Sequence, residues 1–481
     1  MANDLSFGAL AGLSPKVAVP DYDRSALSAG IVHIGVGNFH RAHQAVYLDR
    51  LFGMGRDHDW AIVGAGIMPF DATKRDVLSA QDWLTTVVEL DPSGFSARVI
   101  GAMIDFCPTD AAAIIDQISD PAIRIVSLTV TEGGYFVDAL TGGFDSQHEA
   151  ILAEVDAALP ETVFGIIIAG LKARRAAGVP AFTVMSCDNL PENGHVAQQA
   201  VVGLARLMDP ELSDWINANV AFPNGMVDCI TPATSPAEIA MVRDTFGLND
   251  AAPVTCEPFR QWVLEDNFPA GRPALEEVGV EFVKDVRPHE LMKLRILNGG
   301  HAAIAYVGDL MGYEFVHDAM ADPAIRDWYR VLAKQEIIPT LEPIPDVSYD
   351  AYLASCIERF SNAAVRDTIP RLCLDGSNRQ PKFILPTVQD ALAKGLPIEG
   401  LALEVALWCR YCAVGPVGKV VDERAEVLTN ANGDADAFLA IADVFGDLGQ
   451  NQQFATAVKN ALASLAAHGP KATLQAYTKD K

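Results

Sequence analysis

Ile31-Val-His-Ile-Gly35-Val-Gly37-Asn-Phe39-His40-Arg41-Ala-His43 is the stretch on which the reading of this chain turns. A β-branched, apolar run ends in Gly-x-Gly and passes directly into residues with helical spacing. Glycines at such a corner let the backbone turn tightly and approach a pyrophosphate at a helix N-terminus. The third glycine of the usual fingerprint is replaced here by His40. By itself the motif fits an ordinary strand-to-helix turn equally well. Its place at the first strand of an alternating pattern gives it weight.

Outward from that corner, short β-branched runs alternate with amphipathic stretches to about residue 235, the pattern of a parallel sheet covered on both faces. Strands are expected at 30–35, 60–66, 123–130 and 181–187, and helices at 43–52, 110–118, 161–176 and 196–208. Residues 85–90 and 97–104 read as a hairpin around the turn chemistry of Asp91-Pro-Ser-Gly94. From Pro288 onward helix formers dominate, with helices expected at 291–307, 325–335 and 451–467. The Pro-rich segment 250–287 reads as the crossover. The 481 residues exceed what one core usually serves. The expectation is α/β: a Rossmann-type, doubly wound nicotinamide dinucleotide-binding domain over 1–286, then a mostly α-helical substrate-binding domain over 287–481.

A net charge of −26, from 62 acidic and 36 basic residues, repels phosphate backbones and anionic lipid, so neither nucleic acid nor membrane is an expected partner. Residues 1–10 show no basic region followed by an apolar one, and no later apolar run is long enough to span a bilayer. Eight cysteines without framework spacing suit a reducing cytoplasm. Cys409-Arg-Tyr-Cys412 follows an apolar helical run and reads as core, not as a redox or metal motif. No His-Glu-x-x-His or cysteine quartet is present, so no metal is expected.

Three further segments end strands of the alternating region and should gather near the first: Thr131-Glu132-Gly-Gly-Tyr135, Ser186-Cys-Asp-Asn189 and the segment ending at Asp228. The second strand ends without the usual ribose-binding acid, Asp71 being nearest, while Lys74 and Arg75 follow. These residues leave the choice between NAD and NADP open. The chemistry-bearing segment is Glu290-Leu-Met-Lys293-Leu-Arg-Ile-Leu-Asn298-Gly-Gly-His301. On a regular helix Lys293 and His301 stand about 80° apart, and Asn298 and His301 are i, i+3 neighbours. Hydride abstraction from a carbinol leaves a proton that a lysine of lowered pKa in a dry cleft can accept, while amide donors hold the developing oxyanion. The plainer alternative on spacing alone is a snorkelling lysine beside a satisfied core histidine.

Taken together these segments resemble the long-chain mannitol dehydrogenase family over nearly the whole chain. The likeness rests on Gly35 to Gln44, Thr131 to Tyr135, Ser186 to Asn189 with Asn193-Gly194, Phe222 to Asp228, and Lys293 to His301. It implies that Lys293 is the general acid or base, that Asn189 and Asn298 stabilise the oxyanion, that His301 holds substrate and lysine, and that Glu290 relays or gates the proton. It places substrate-hydroxyl contacts at Asp228, Arg371 and Arg379, and the cofactor on Gly35, Gly37, Phe39, His40, Arg41, Thr131 and Glu132. Polyol-specific members can carry lysine where Arg379 stands.

The expected function is therefore a zinc-independent polyol 2-dehydrogenase interconverting D-mannitol and D-fructose with NAD, in a cytoplasmic monomer or small homo-oligomer. A fructuronate (D-mannonate) reductase would need a cation for the substrate carboxylate, from Arg371, Arg379 or Lys382. A catalytically silent nicotinamide-binding regulator is a third reading, against which the intact lysine and paired asparagines argue.

Overall fold

The computed structural model describes residues 2–138, 142–415 and 419–479. The chain divides into two compact units, Met1–Arg287 and Pro288–Lys481.

In the first unit five parallel strands form the central sheet: β1 (Ala29–Ile34), β2 (Ala61–Ala65), β3 (Met103–Phe106), β4 (Ile125–Leu128) and β5 (Thr183–Ser186). Their spatial order is β3-β2-β1-β4-β5, the order of a dinucleotide-binding sheet that reverses direction of growth at its first strand. Neighbouring residues on one strand enter different cores. Ile31, Ile125 and Met185 join one apolar cluster; Val32, Val126 and Val184 join the other. Burial on both faces explains why these strands read as continuous apolar runs instead of alternating ones.

The helices between strands begin where the sequence supplies an acceptor. Asp110 caps α1 (Ala111–Ser119) through the Ala113 N–H, and Thr162 caps α2 (Val163–Ala177) through the Gly165 N–H. Gly178 at φ 69° closes α2.

Two expectations need correction. The run 97–104 is not one strand. It breaks after Ser96–Ile100, which pairs antiparallel with Thr85–Glu89, and resumes as β3 of the parallel sheet. Unbroken apolar character across Gly101-Ala102 hid the break. The segment 250–287 is not a crossover either. Val254–Cys256 pairs with Thr85–Glu89, and Gln261–Glu265 pairs with both Gly225–Asp228 and Glu281–Val283. Its prolines lie between strands, where they obstruct no ladder.

The second unit is helical around one large core that includes Trp328, Tyr329, Leu401, Trp408 and Phe438. Its principal helices are α3 (Gly299–Leu310), α4 (Pro323–Leu332), α5 (Tyr349–Phe360), α6 (Glu399–Ala413) and α7 (Gln452–Lys479). α7 kinks at Gly469 (φ 77°) before Pro470. Cys409 and Cys412 lie on α6, buried in this core. Among the described residues no helix is long and apolar enough to cross a membrane.

Candidate active site

A cavity of about 650 Å³ opens at the carboxyl ends of β1, β2 and β4, lined in part by Gly35, Gly37, Gly66, Met68, Thr131 and the Thr162-Val163 start of α2. Gly35 has φ +98°, and a Cβ there would lie 2.1 Å from the Thr129 carbonyl oxygen. No other residue type fits, so the turn keeps its close backbone. The cradle therefore suits a dinucleotide, as the sequence pattern implies.

A buried polar chain supports this turn from beneath. The His33 Nε2 lies 2.9 Å from Thr129 Oγ1, which donates to the Gly35 carbonyl at 2.6 Å. That hydroxyl proton is thereby spent, so His33 carries its proton on Nε2 and presents Nδ1 to Ser127 Oγ at 2.8 Å. The His33 ring stacks on His40 with centroids 3.4 Å apart, and His40 Nδ1 meets Gln44 Oε1 at 3.0 Å. Burial drives the His33 pKa down to about 3 and His40 well below its ordinary value; two stacked imidazoles can coexist only neutral. Arg41 donates to Gly37 O (3.2 Å), Asn38 Oδ1 (2.9 Å) and the Ala252 carbonyl. Phe39, His40 and Arg41 are not among the residues lining the cavity; His40 and Arg41 brace the turn that does. The side chain of Glu132 lies outside the described residues.

Asp188 is the residue whose role sequence reasoning missed. Its carboxylate accepts the N–H groups of Val130 and Thr131, each at 2.9 Å, and the Tyr135 hydroxyl at 2.7 Å. It thereby fastens the loop after β4 to the end of β5. Asn189 follows it, exposed. Asp228 is buried at the end of its strand.

In the second unit the lysine segment is not a regular α-helix. Lys293–Asn298 forms a π-helical turn between Arg287–Met292 and α3. The 80° separation expected on regular geometry does not hold across it, because each π turn takes in one more residue; π turns recur at functional sites. The widened turn is buttressed from outside. Tyr329 Oη donates to the Ile296 carbonyl at 2.8 Å, and Arg295 reaches Thr340 Oγ1 at 2.7 Å and Asp390 Oδ2 at 2.5 Å. Gly300 must be glycine because a Cβ would stand 2.6 Å from the Tyr329 ring.

Lys293, Asn298 and His301 are each 7 % exposed, and Glu290 is buried as well. His301 packs on Phe360 with ring centroids 4.3 Å apart, and its Nε2 is buried without a hydrogen-bond partner among the described residues. Burial depresses its pKa well below the usual value, and the positive charges of Arg371, Arg379, Arg359 and Lys293 depress it further. Three of those four cations were expected in the site. Arg359, on α5, was not; a lone arginine on an amphipathic helix carries no motif. Arg371 is held bidentately by Asp367, Nε to Oδ1 at 2.6 Å and Nη2 to Oδ2 at 2.5 Å. Arg379 donates to the Leu372 carbonyl at 2.7 Å.

The chain is similar over its whole length to proteins of known identity. Residues 29–277 match the model of the mannitol dehydrogenase Rossmann domain, and residues 285–466 match that of the mannitol dehydrogenase C-terminal domain. A mannitol 2-dehydrogenase of Cereibacter sphaeroides is 55% identical over 476 residues, covering 97% of this chain and 99% of its own length. The mannitol 2-dehydrogenase of Pseudomonas fluorescens, solved as a ternary complex with NAD and D-mannitol, superposes with a TM-score of 0.90 at 43% identity and covers 100% of both chains. A D-sorbitol dehydrogenase solved in substrate-free form has a TM-score of 0.88 at 36% identity, covering 98% of this chain and 100% of its own. With both domain models matched in order and full-length relatives this similar, the chain belongs to the mannitol dehydrogenase family.

Proposed function

We propose that this chain is an NAD-dependent mannitol 2-dehydrogenase, oxidising D-mannitol at C2 to D-fructose without a metal ion. The observation that carries the reading is the full-length likeness to the enzyme solved with NAD and D-mannitol. Bound NAD supplies the hydride acceptor. The chain's residues do the rest: Lys293 takes the proton of the reacting hydroxyl, and the amides of Asn189 and Asn298 hold the oxygen as charge develops on it. His301, neutral and with Nε2 unpartnered, serves a substrate hydroxyl as a hydrogen-bonding group instead of a charge. Glu290, three positions before the lysine, passes the proton outward. Asp228, Arg371 and Arg379 contact the remaining hydroxyls. Gly35, Gly37 and Thr131 receive the dinucleotide, with Phe39, His40, Arg41 and Glu132 behind or beside them. Eight free thiols fit a cytoplasmic enzyme.

A neutral polyol suits this site better than a uronate. Of the three cations a carboxylate could use, Arg371 is already neutralised by Asp367, and breaking a bidentate pair to rebuild it on substrate gains little. The test is a spectrophotometric panel of mannitol, sorbitol, arabinitol and mannonate with NAD and with NADP. Mannitol with NAD is expected to give the largest kcat/KM; a preference for mannonate would overturn the assignment.

A further inference from the structure

Within the first unit, two cysteines far apart in sequence are brought side by side. The Glu257 N–H donates to the Ile230 carbonyl at 3.0 Å and the Ile230 N–H to Glu257 Oε1 at 2.6 Å, clamping the residue after Cys229 to the residue after Cys256. Cys229 and Cys256 lie close enough that each is the largest influence on the other's ionisation, and the Arg260 Nη2 donates to Cys256 Sγ at 3.1 Å. Arg260 reaches Glu89 Oε1 at 2.6 Å with Nη1 and the Ala42 carbonyl at 2.7 Å with Nε.

From this geometry we propose that Cys229 and Cys256 are an oxidation-sensitive dithiol, closed to a disulfide by hydrogen peroxide, that couples peroxide exposure to the cofactor turn. The neighbouring Cys229 thiol holds the Cys256 pKa below its ordinary value despite burial, with Arg260 adding to the effect; Cys229 itself is pushed up. The Arg260 guanidinium at 3.1 Å from its sulfur favours the Cys256 thiolate, which makes Cys256 the nucleophile. Five other cysteines contrast: burial pushes Cys107, Cys373 and Cys409 up to about 12 and raises Cys187 and Cys412 too. The C-x-x-C visible in the sequence is the inert pair.

In the reaction the Cys256 thiolate attacks one peroxide oxygen, the O–O bond breaks, and the departing hydroxide takes a proton to leave as water, giving a sulfenic acid. The Cys229 sulfur then attacks the sulfenyl sulfur, forming S–S and expelling the hydroxyl, which leaves as a second water with the thiol's proton. Two thiols and one peroxide become one disulfide and two waters. Cys256 is fully buried and Cys229 7 % exposed, which restricts the oxidant to one of peroxide size. Oxidation removes the negative sulfur from Arg260. That arginine also holds the carbonyl of Ala42 at the end of Asn38–Ala42, the helix leaving the glycine turn, while Cys229 adjoins Asp228.

The test is peptide mapping under non-reducing conditions after hydrogen peroxide treatment of the full chain. The expected product is a linked Cys229–Cys256 pair, two hydrogens lighter, reversed by dithiothreitol, formed at doses that leave Cys409 and Cys412 as thiols. Cys229→Ala is expected to give no linked product and to leave Cys256 a thiol at the same dose. Oxidation of other cysteines before Cys256, or a link from Cys256 to a different thiol, overturns the proposal. The wild-type map decides the matter even if the variant misfolds, and it stands apart from which polyol is turned over.

Discussion

The Asp188 carboxylate holds Thr131 in a conformation that threonine avoids: its Oδ1 accepts the Thr131 N–H at 2.9 Å while Thr131 sits at φ 68°, ψ 162°. That region is essentially confined to glycine, and a β-branched residue there stores about 1–3 kcal/mol. The loop lining the dinucleotide cavity is thus kept in a strained shape by a carboxylate just beyond the end of β5.

Asp188→Asn is expected to weaken NAD binding about 10-fold or more, since hydrogen bonds to a charged group contribute about 1.5–3 kcal/mol each. The fall in kcat at saturating NAD should be much smaller. Fluorescence titration with NADH measures the first and steady-state kinetics the second. Unaltered affinity in a folded variant would show that the strained loop is not what shapes the cofactor site.

Lys293→Ala is expected to lower kcat by at least ~10²-fold, the usual scale for losing a positioned acid–base group, while NADH affinity stays within a few-fold. Turnover close to wild type would remove Lys293 from the mechanism.

Glu404 is completely buried on α6, accepting from Gln380 Nε2 at 2.7 Å, and burial pushes its pKa from 4.5 up to about 8. Between those values the folded state holds a proton that the unfolded chain releases. Stability attached to this group is full below about 4.5 and falls as pH rises toward about 8. Glu404→Gln keeps the hydrogen bond to Gln380 without an ionisable group. It should leave Tm near wild type at pH 5 and raise it at pH 8; urea unfolding at both pH values checks this, and equal differences at the two would contradict it.

Burial lowers His33 to about 3 and His43 to about 4. Each is neutral when folded yet takes up a proton when unfolded below the usual 6.5, so the stability they carry is present above pH 6.5 and lost as pH falls toward 4. His43→Gln is expected to flatten the acid side of the stability curve by up to about 1.4 kcal/mol per pH unit over that window. Parallel curves for variant and wild type would mean that His43 does not contribute.

The strands β1, β2, β4 and β5 were legible because burial on both faces demands unbroken apolar runs, and the glycine turn was legible because φ +98° at Gly35 admits little else. The lysine segment was legible as a motif but not as a shape. Nothing local in Lys293 to Asn298 prescribes a π turn; the Tyr329 hydroxyl and the Arg295 contacts that sustain it come from elsewhere in the unit. The same distance in sequence concealed Arg359 beside His301 and the three donors gathered by Asp188.

By itself, then, the order of amino acids determined the class of fold and the lineage, because periodicity, turn chemistry and motif spacing are local properties of a chain. Tertiary structure decided which groups are neutral, which are strained and which are partnered. His33, Glu404 and the Cys229–Cys256 pair owe their protonation to burial and to neighbours from remote segments, and the free energy of a charge depends on what surrounds it, not on what adjoins it along the chain.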